Sequence, residues 1–143
     1  YGKRFTFGDV ERASRLALDE GVYYAHFLIL GGYGDTRENV RETIENSRRM
    51  EYTVMFPYAG MRIYPHTRLA ELAAKEGAIG RDDDLMAPSY YISRDFDLEE
   101  VRRAALATGK AWVFPDDPQS ALADTLRLKR NKKGPLWEYL RKP

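Results

Sequence analysis

The chain has 143 residues, 43% hydrophobic and 31% charged, which suits one domain with a real core. Its 23 Lys and Arg nearly balance 22 Asp and Glu, so a net charge of +1 gives no global pull toward nucleic acid or an anionic membrane. The absence of cysteine excludes disulfides, a thiolate nucleophile, a Cys-ligated zinc site and an iron–sulfur cluster held by these residues. No apolar run approaches the ~20 residues of a membrane span and no signal peptide is visible, so a cytoplasmic address is expected.

Helical and strand-like segments alternate, which predicts an α/β domain with parallel pairing. A first helix is expected from about Asp9 to Glu20, with Val10, Ala13 and Ala17 on one face and Gly21 as its left-handed stop. Tyr23–Leu30 is apolar almost throughout, as a strand covered on both faces reads. Gly31-Gly32-Tyr33-Gly34 breaks it. A second helix, about Thr36 to Met50, is expected behind an Asp35 N-cap, with Glu38 completing a capping box. Thr53–Phe56 reads as a second buried strand ended by Pro57. It should lie beside the first, parallel to it. Thr67 caps a third helix with Leu69, Leu72 and Ala73 inward and Gly77 at its end.

Beyond Gly77 the rhythm changes. Gly80–Pro88 is a loop whose run Asp82-Asp83-Asp84 lacks the glycine and glutamate spacing of a calcium loop, so a solvated turn is expected. Ser89–Ser93 is a short extended piece. Asp97 and Glu100 form a capping box before a helix facing inward through Leu98, Val101, Ala104 and Ala105. Ala111–Phe114 is a short strand. Asp117-Pro118 opens a last helix to about Lys129, on a Leu122, Thr125 and Leu126 face. A basic tail follows, carrying Trp137 and Tyr139; it holds too few charges to predict a nucleic-acid partner.

The strand–glycine–helix junction HFLILGGYGDT, His26 to Thr36, is the sharpest local feature. Its glycines allow close backbone approach, and a helix N-terminus follows. It is neither a Walker A loop nor a dinucleotide fingerprint. One reading is a non-catalytic α/β module holding a phosphate or nucleotide at the GGYG turn; another is a pure interaction domain.

A third reading comes from resemblance. LILGGYGDT before an amphipathic helix resembles the fifth strand–loop–helix of radical S-adenosylmethionine (radical SAM) enzymes, where apolar-Ile-x-Gly-Leu-Pro-Gly-Glu-Thr is usual. Ile29, Gly31, Gly34, Asp35 and Thr36 take the matching places, while Gly32 and Tyr33 depart from Leu-Pro. MFPYAGMRIYPHT, Met55 to Thr67, resembles the sixth strand and its Pro-Gly-Thr-x-Leu segment, with His66 in place of Gly and Arg62 added. Lys75–Ile79 resembles the family's A-x-x-x-G-x-I ending. RIYPHT is closest to the subgroup with an upstream cobalamin domain.

The resemblance covers about residues 1–90. It implies the C-terminal portion of a partial (β/α)6 TIM-like barrel with parallel strands, plus a mainly helical C-terminal extension. Residues 1–80 would be the last βα units, and 81–143 a C-terminal α/β extension with its basic tail. The [4Fe-4S] cysteine motif, and possible cobalamin binding, would then belong to an upstream part of the same polypeptide. This chain alone would be inactive. It would contribute the rim for S-adenosylmethionine and for a small-molecule or lipid-like substrate, in methyl transfer or a rearrangement.

By the same resemblance, Ile29, Leu30, Gly31 and Gly32, with Pro57 and Tyr58 across from them, are the cofactor-binding candidates. The bland reading of Ile29 and Leu30 is core. His26 shares the alternation of Leu28 and Leu30; it lines the substrate cavity if that face is the barrel interior, and is otherwise a core histidine. Arg62 is expected to pair with a substrate carboxylate or phosphate or with the S-adenosylmethionine carboxylate, or else to bridge a neighbouring Asp or Glu. Tyr64 and Tyr58 stack on a ligand or pack. A missing neighbour would leave the first strand an open edge, with Leu28 and Leu30 among the uncovered side chains. Homodimerisation of the chain is then expected.

Overall fold

The computed structural model describes residues 3–115. The last helix expected from Asp117 and the basic tail lie outside the described residues.

Helix α1 spans Phe7–Asp19 behind an N-cap at Thr6, so it opens two residues before the expected Asp9. The Thr6 hydroxyl accepts the Asp9 N–H, and the Asp9 carboxylate accepts the Thr6 N–H at 2.7 Å. Its inward face also turns by a step: Val10 packs on the core and Ser14 is buried, while Ala13 is exposed. Helix α2 spans Arg37–Asn46 and tightens into a 3₁₀ turn over Ser47–Arg49. Its N-cap is Thr36, whose hydroxyl accepts the Asn39 N–H, and not Asp35. Asp35 instead accepts the Gly32 N–H at 3.1 Å, which bends the preceding turn. Helix α3, Arg68–Glu76, starts at Thr67 and ends at left-handed Gly77, as expected. Helix α4, Leu98–Ala107, is capped by Asp97, which accepts the Glu99 and Glu100 N–H groups. Glu100 does not reach back to close a box; it reaches across to Arg37 and Arg41 of α2.

Strand β1 (His26–Leu30) pairs in parallel with β2 (Val54–Ala59), in the register His26 to Met55 through Leu30 to Ala59. Strand β5 (Ala111–Trp112) joins β2 on its other side, also in parallel, so the sheet order is β1-β2-β5. The fold is α/β with a parallel three-stranded sheet, and these strands do not close into a barrel. Pro57 does not end β2. The Val113 N–H reaches the Met55 carbonyl at 2.9 Å, so alternate residues of β2 address the β5 side. The N–H that Pro57 lacks would point that way, beyond the last paired residue of β5, and no ladder bond is lost.

Beyond Ala59 the chain turns at Gly60 into β3 (Met61–Ile63), which pairs antiparallel with β4 (Ser89–Tyr91). Two cores result. One lies between the sheet and helices α1, α2 and α4, around Leu30, Val40, Ile44, Met55, Val101 and Trp112. The other lies under α3, around Ile63, Ala73, Leu85 and Tyr91. Both cores draw on residues after 80, since β4 pairs with β3 and β5 with β2.

Candidate functional site

Alternation along β1 and β2 sorts their side chains onto two faces. Leu28, Leu30 and Met55 turn toward the helices. Phe27, Ile29, Phe56 and Tyr58 turn the other way, onto a face that no helix of the first core covers. The expected orientation is thereby reversed: Leu28 and Leu30 are core, and the uncovered side chains are Phe27 and Ile29, 62% and 49% exposed. The long apolar run is one strand buried on a single face, because every helix of the first core packs on the same side.

On the open face the Phe27 ring stacks on Phe56 at 5.1 Å and 14°, and Tyr58 continues the stack at 6.4 Å and 20°. Ile29 stands beside Tyr58 in the register. No residue of either strand on this face is charged. The sequence reading missed Phe27 and Phe56. The signal was available in the period of two: if Ile29 and Tyr58 face a ligand, Phe27 and Phe56 share their side.

The GGYG turn is closed from within. Gly31 has φ of 73°, and a Cβ added there would overlap the Phe96 ring and stand 2.9 Å from Phe96 Cβ. Its carbonyl accepts the Ser93 N–H at 2.8 Å, and the Ser93 hydroxyl donates to the Asp35 carbonyl at 3.0 Å. The Gly32 N–H is given to the Asp35 carboxylate and the Asp35 N–H to the Gly32 carbonyl, so two backbone donors of the turn are engaged within it. Gly31 and Gly32 are both buried. Tyr33 leans edge-on against Tyr91.

His26 lies on the helix side with Leu28 and Leu30. Its Nε2 is 3.4 Å from the Ser14 hydroxyl of α1, and its ring meets Tyr24 edge to face at 5.4 Å. Burial pushes its pKa down from 6.5. The Ser14 hydroxyl donates to the Val10 carbonyl at 2.8 Å, and the Tyr24 hydroxyl to the Glu51 carbonyl at 2.6 Å. Burial is also the main reason the Tyr24 pKa is raised.

Arg62 and Tyr64 are brought together, the guanidinium 4.9 Å from the ring centre, both exposed. Tyr90 is the strand partner of Arg62. Of the six cofactor candidates, then, Ile29 and Tyr58 meet on the open face. Leu30 is core, Pro57 is buried opposite Leu28, and Gly31 and Gly32 are internal to the turn.

Among the described residues no group of three or more His, Cys, Asp or Glu side chains converges as a metal site. Asp83 and Asp84 instead accept the N–H groups of Leu85 and Met86, two residues on, as solvated turn residues do. No described helix is long and apolar enough to cross a membrane.

No protein-family model, curated protein or solved structure matches this chain.

Proposed function

We propose that this chain is the C-terminal part of a radical S-adenosylmethionine enzyme. In this reading the open sheet face is the inner wall of the barrel, and the C-terminal ends of β1 and β2 form the ligand rim. The observation that carries it is the uncharged face of Phe27, Ile29, Phe56 and Tyr58 on two parallel strands, beside a β1 edge that is unpaired among the described residues. A barrel interior needs both features: a neighbouring strand for the edge and a ligand or opposite wall for the face.

These residues do not fit the cluster of such enzymes, since the sequence has no cysteine and the described residues hold no converging ligand set. The cluster, and any cobalamin, would be held by polypeptide outside this sequence. Toward S-adenosylmethionine the fit is better. Ile29 and Tyr58 offer an aliphatic and an aromatic surface at the strand ends, suited to an adenine ring. Arg62 is an exposed cation that suits a carboxylate, of S-adenosylmethionine or of the substrate. An uncharged wall favours a substrate with an apolar, lipid-like part, for methyl transfer or a rearrangement. The alternative, a phosphate or nucleotide module at the GGYG turn, is less favoured because the Gly32 N–H is already given to Asp35.

The test is made on the longest polypeptide that contains this sequence, purified without oxygen. Iron–sulfur absorbance, S-adenosylmethionine binding and release of 5′-deoxyadenosine are expected, with binding weakened by Ile29→Asp or Tyr58→Asp. A polypeptide with no CxxxCxxC run and no S-adenosylmethionine binding overturns the reading.

A further inference from the structure

We propose that the groove between α1 and the start of β1 binds an uncharged, phenol-like molecule, an apolar aromatic body carrying one hydroxyl donor. Among the described residues the groove measures about 430 Å³, within the size range of small-molecule sites. Phe5, Val10, Ala13 and Ala17 give it an apolar wall, and Ser14, Tyr24 and His26 are its polar side chains. His26 is the first residue of β1, so the site lies at the opposite end of the strands from the proposed ligand rim, and the inference does not rest on that reading. The Tyr24 carbonyl accepts the Thr53 hydroxyl at 3.4 Å, and His26 stands beside Met55 in the register. The polar groups of the groove are therefore not drawn from the outer edge of β1.

The choice of ligand follows from where the protons are. The Ser14 hydroxyl gives its one proton to the Val10 carbonyl at 2.8 Å, and the Tyr24 hydroxyl gives its own to the Glu51 carbonyl at 2.6 Å. With that proton spent, Ser14 can only accept from His26. The 3.4 Å contact between them therefore puts the imidazole proton on Nε2 and leaves Nδ1 bare. Burial keeps this histidine neutral at neutral pH. All three side chains are left with lone pairs and no proton to offer. A ligand that only accepts hydrogen bonds gains nothing from them, and one that donates does. Charge narrows the class further. Asp9 is the one ionised side chain in the lining, and its carboxylate is engaged by the Thr6 N–H and by Arg12. An ionic ligand would be desolvated there without a free counter-charge. The Phe5 and Tyr24 rings in the lining favour an aromatic body.

The test is a titration of the whole 143-residue chain with para-butylphenol, followed through the NMR signals of His26 and Ala17. Saturable binding that moves both sets of signals is expected. Para-butylanisole has the same body with a methyl group in place of the hydroxyl proton. It should bind about tenfold more weakly, the worth of one hydrogen bond. Ala13 is exposed, so Ala13→Trp should fill the groove and abolish binding while thermal unfolding stays unchanged. Ala17→Leu fills the same groove with a smaller side chain and serves if the tryptophan disturbs the helix. Absence of saturation overturns the proposal. So does equal binding of the phenol and its ether, and so does binding that survives in a folded groove-filling variant.

Discussion

The Phe96 ring occupies the space where a side chain on Gly31 would begin. The glycine that looked shaped for a ligand is shaped for its own protein. Gly31→Ala should destabilise by at least about 2 kcal/mol, from the left-handed φ together with the overlap. Adding Phe96→Ala should recover the part due to the ring and leave the φ part together with the close approach to the Cβ at position 96. Denaturant unfolding of the two single variants and the double reads this directly. Additive losses would show that the two residues are not coupled.

The two faces of β1 make a sharper contrast between neighbours. Leu30 is 3% exposed and sits in the first core, so Leu30→Ala should cost about 2–5 kcal/mol. Ile29, beside it on the open face, should cost under about 1 kcal/mol as Ile29→Ala. The comparison is made at protein concentrations low enough to keep the chain monomeric. Equal costs would mean that something covers the open face.

His26 sets a pH dependence. Burial lowers its folded pKa below 6.5, so the unfolded chain takes up this proton first as pH falls. Its effect is absent well above that value, and stability drops as pH falls below 6.5 toward the folded pKa. Asp9, Asp97 and Glu38 also have lowered pKa values, chiefly through backbone hydrogen bonds, so their contributions fade only at lower pH. Thermal unfolding should show two separate declines on acidification, and His26→Phe should remove the first. A variant that keeps both would place the sensitive group elsewhere.

Asp97 and Glu100 open the same helix but do different things. Asp97→Ala removes a cap for two N–H groups and should destabilise chiefly through them, with a smaller salt-sensitive part from the nearby Arg103 and Arg37. Glu100→Gln removes bridges to Arg37 and Arg41 on α2. It should cost under about 1 kcal/mol, and added salt should shrink the difference. An Asp97→Ala effect more sensitive to salt than that of Glu100→Gln would contradict this division.

The parallel pair β1–β2 was legible because each strand is a dense apolar run and the helix between them has a clear amphipathic face. Which side of β1 is open was not. Phe27, Leu28, Ile29 and Leu30 are all apolar, so composition gives no difference between the parities, and the placement of the helices decides it. Local chemistry misled at Asp35, where two adjacent residues can each cap and only backbone geometry chooses Thr36. The β3–β4 pairing and the Phe96 contact with Gly31 join segments far apart in sequence, where neither period nor spacing speaks. Thr67 and Gly77, whose roles are local, were read without loss.

The chain leaves the sheet at Gly60 and comes back beside it at Ser93, and both points are tied to the end of β1. The Gly60 N–H is held by the Leu30 carbonyl and the Ser93 N–H by the Gly31 carbonyl, while a Cβ on Gly60 would lie 2.7 Å from Ile92 Cγ1. Residues 61–91 therefore hang from the rest of the molecule by a closed neck, with a core of their own. Such a lobe is removable. Replacing it by a short Gly-rich turn should leave the first core folded, because none of that core's buried residues lies within the excised stretch.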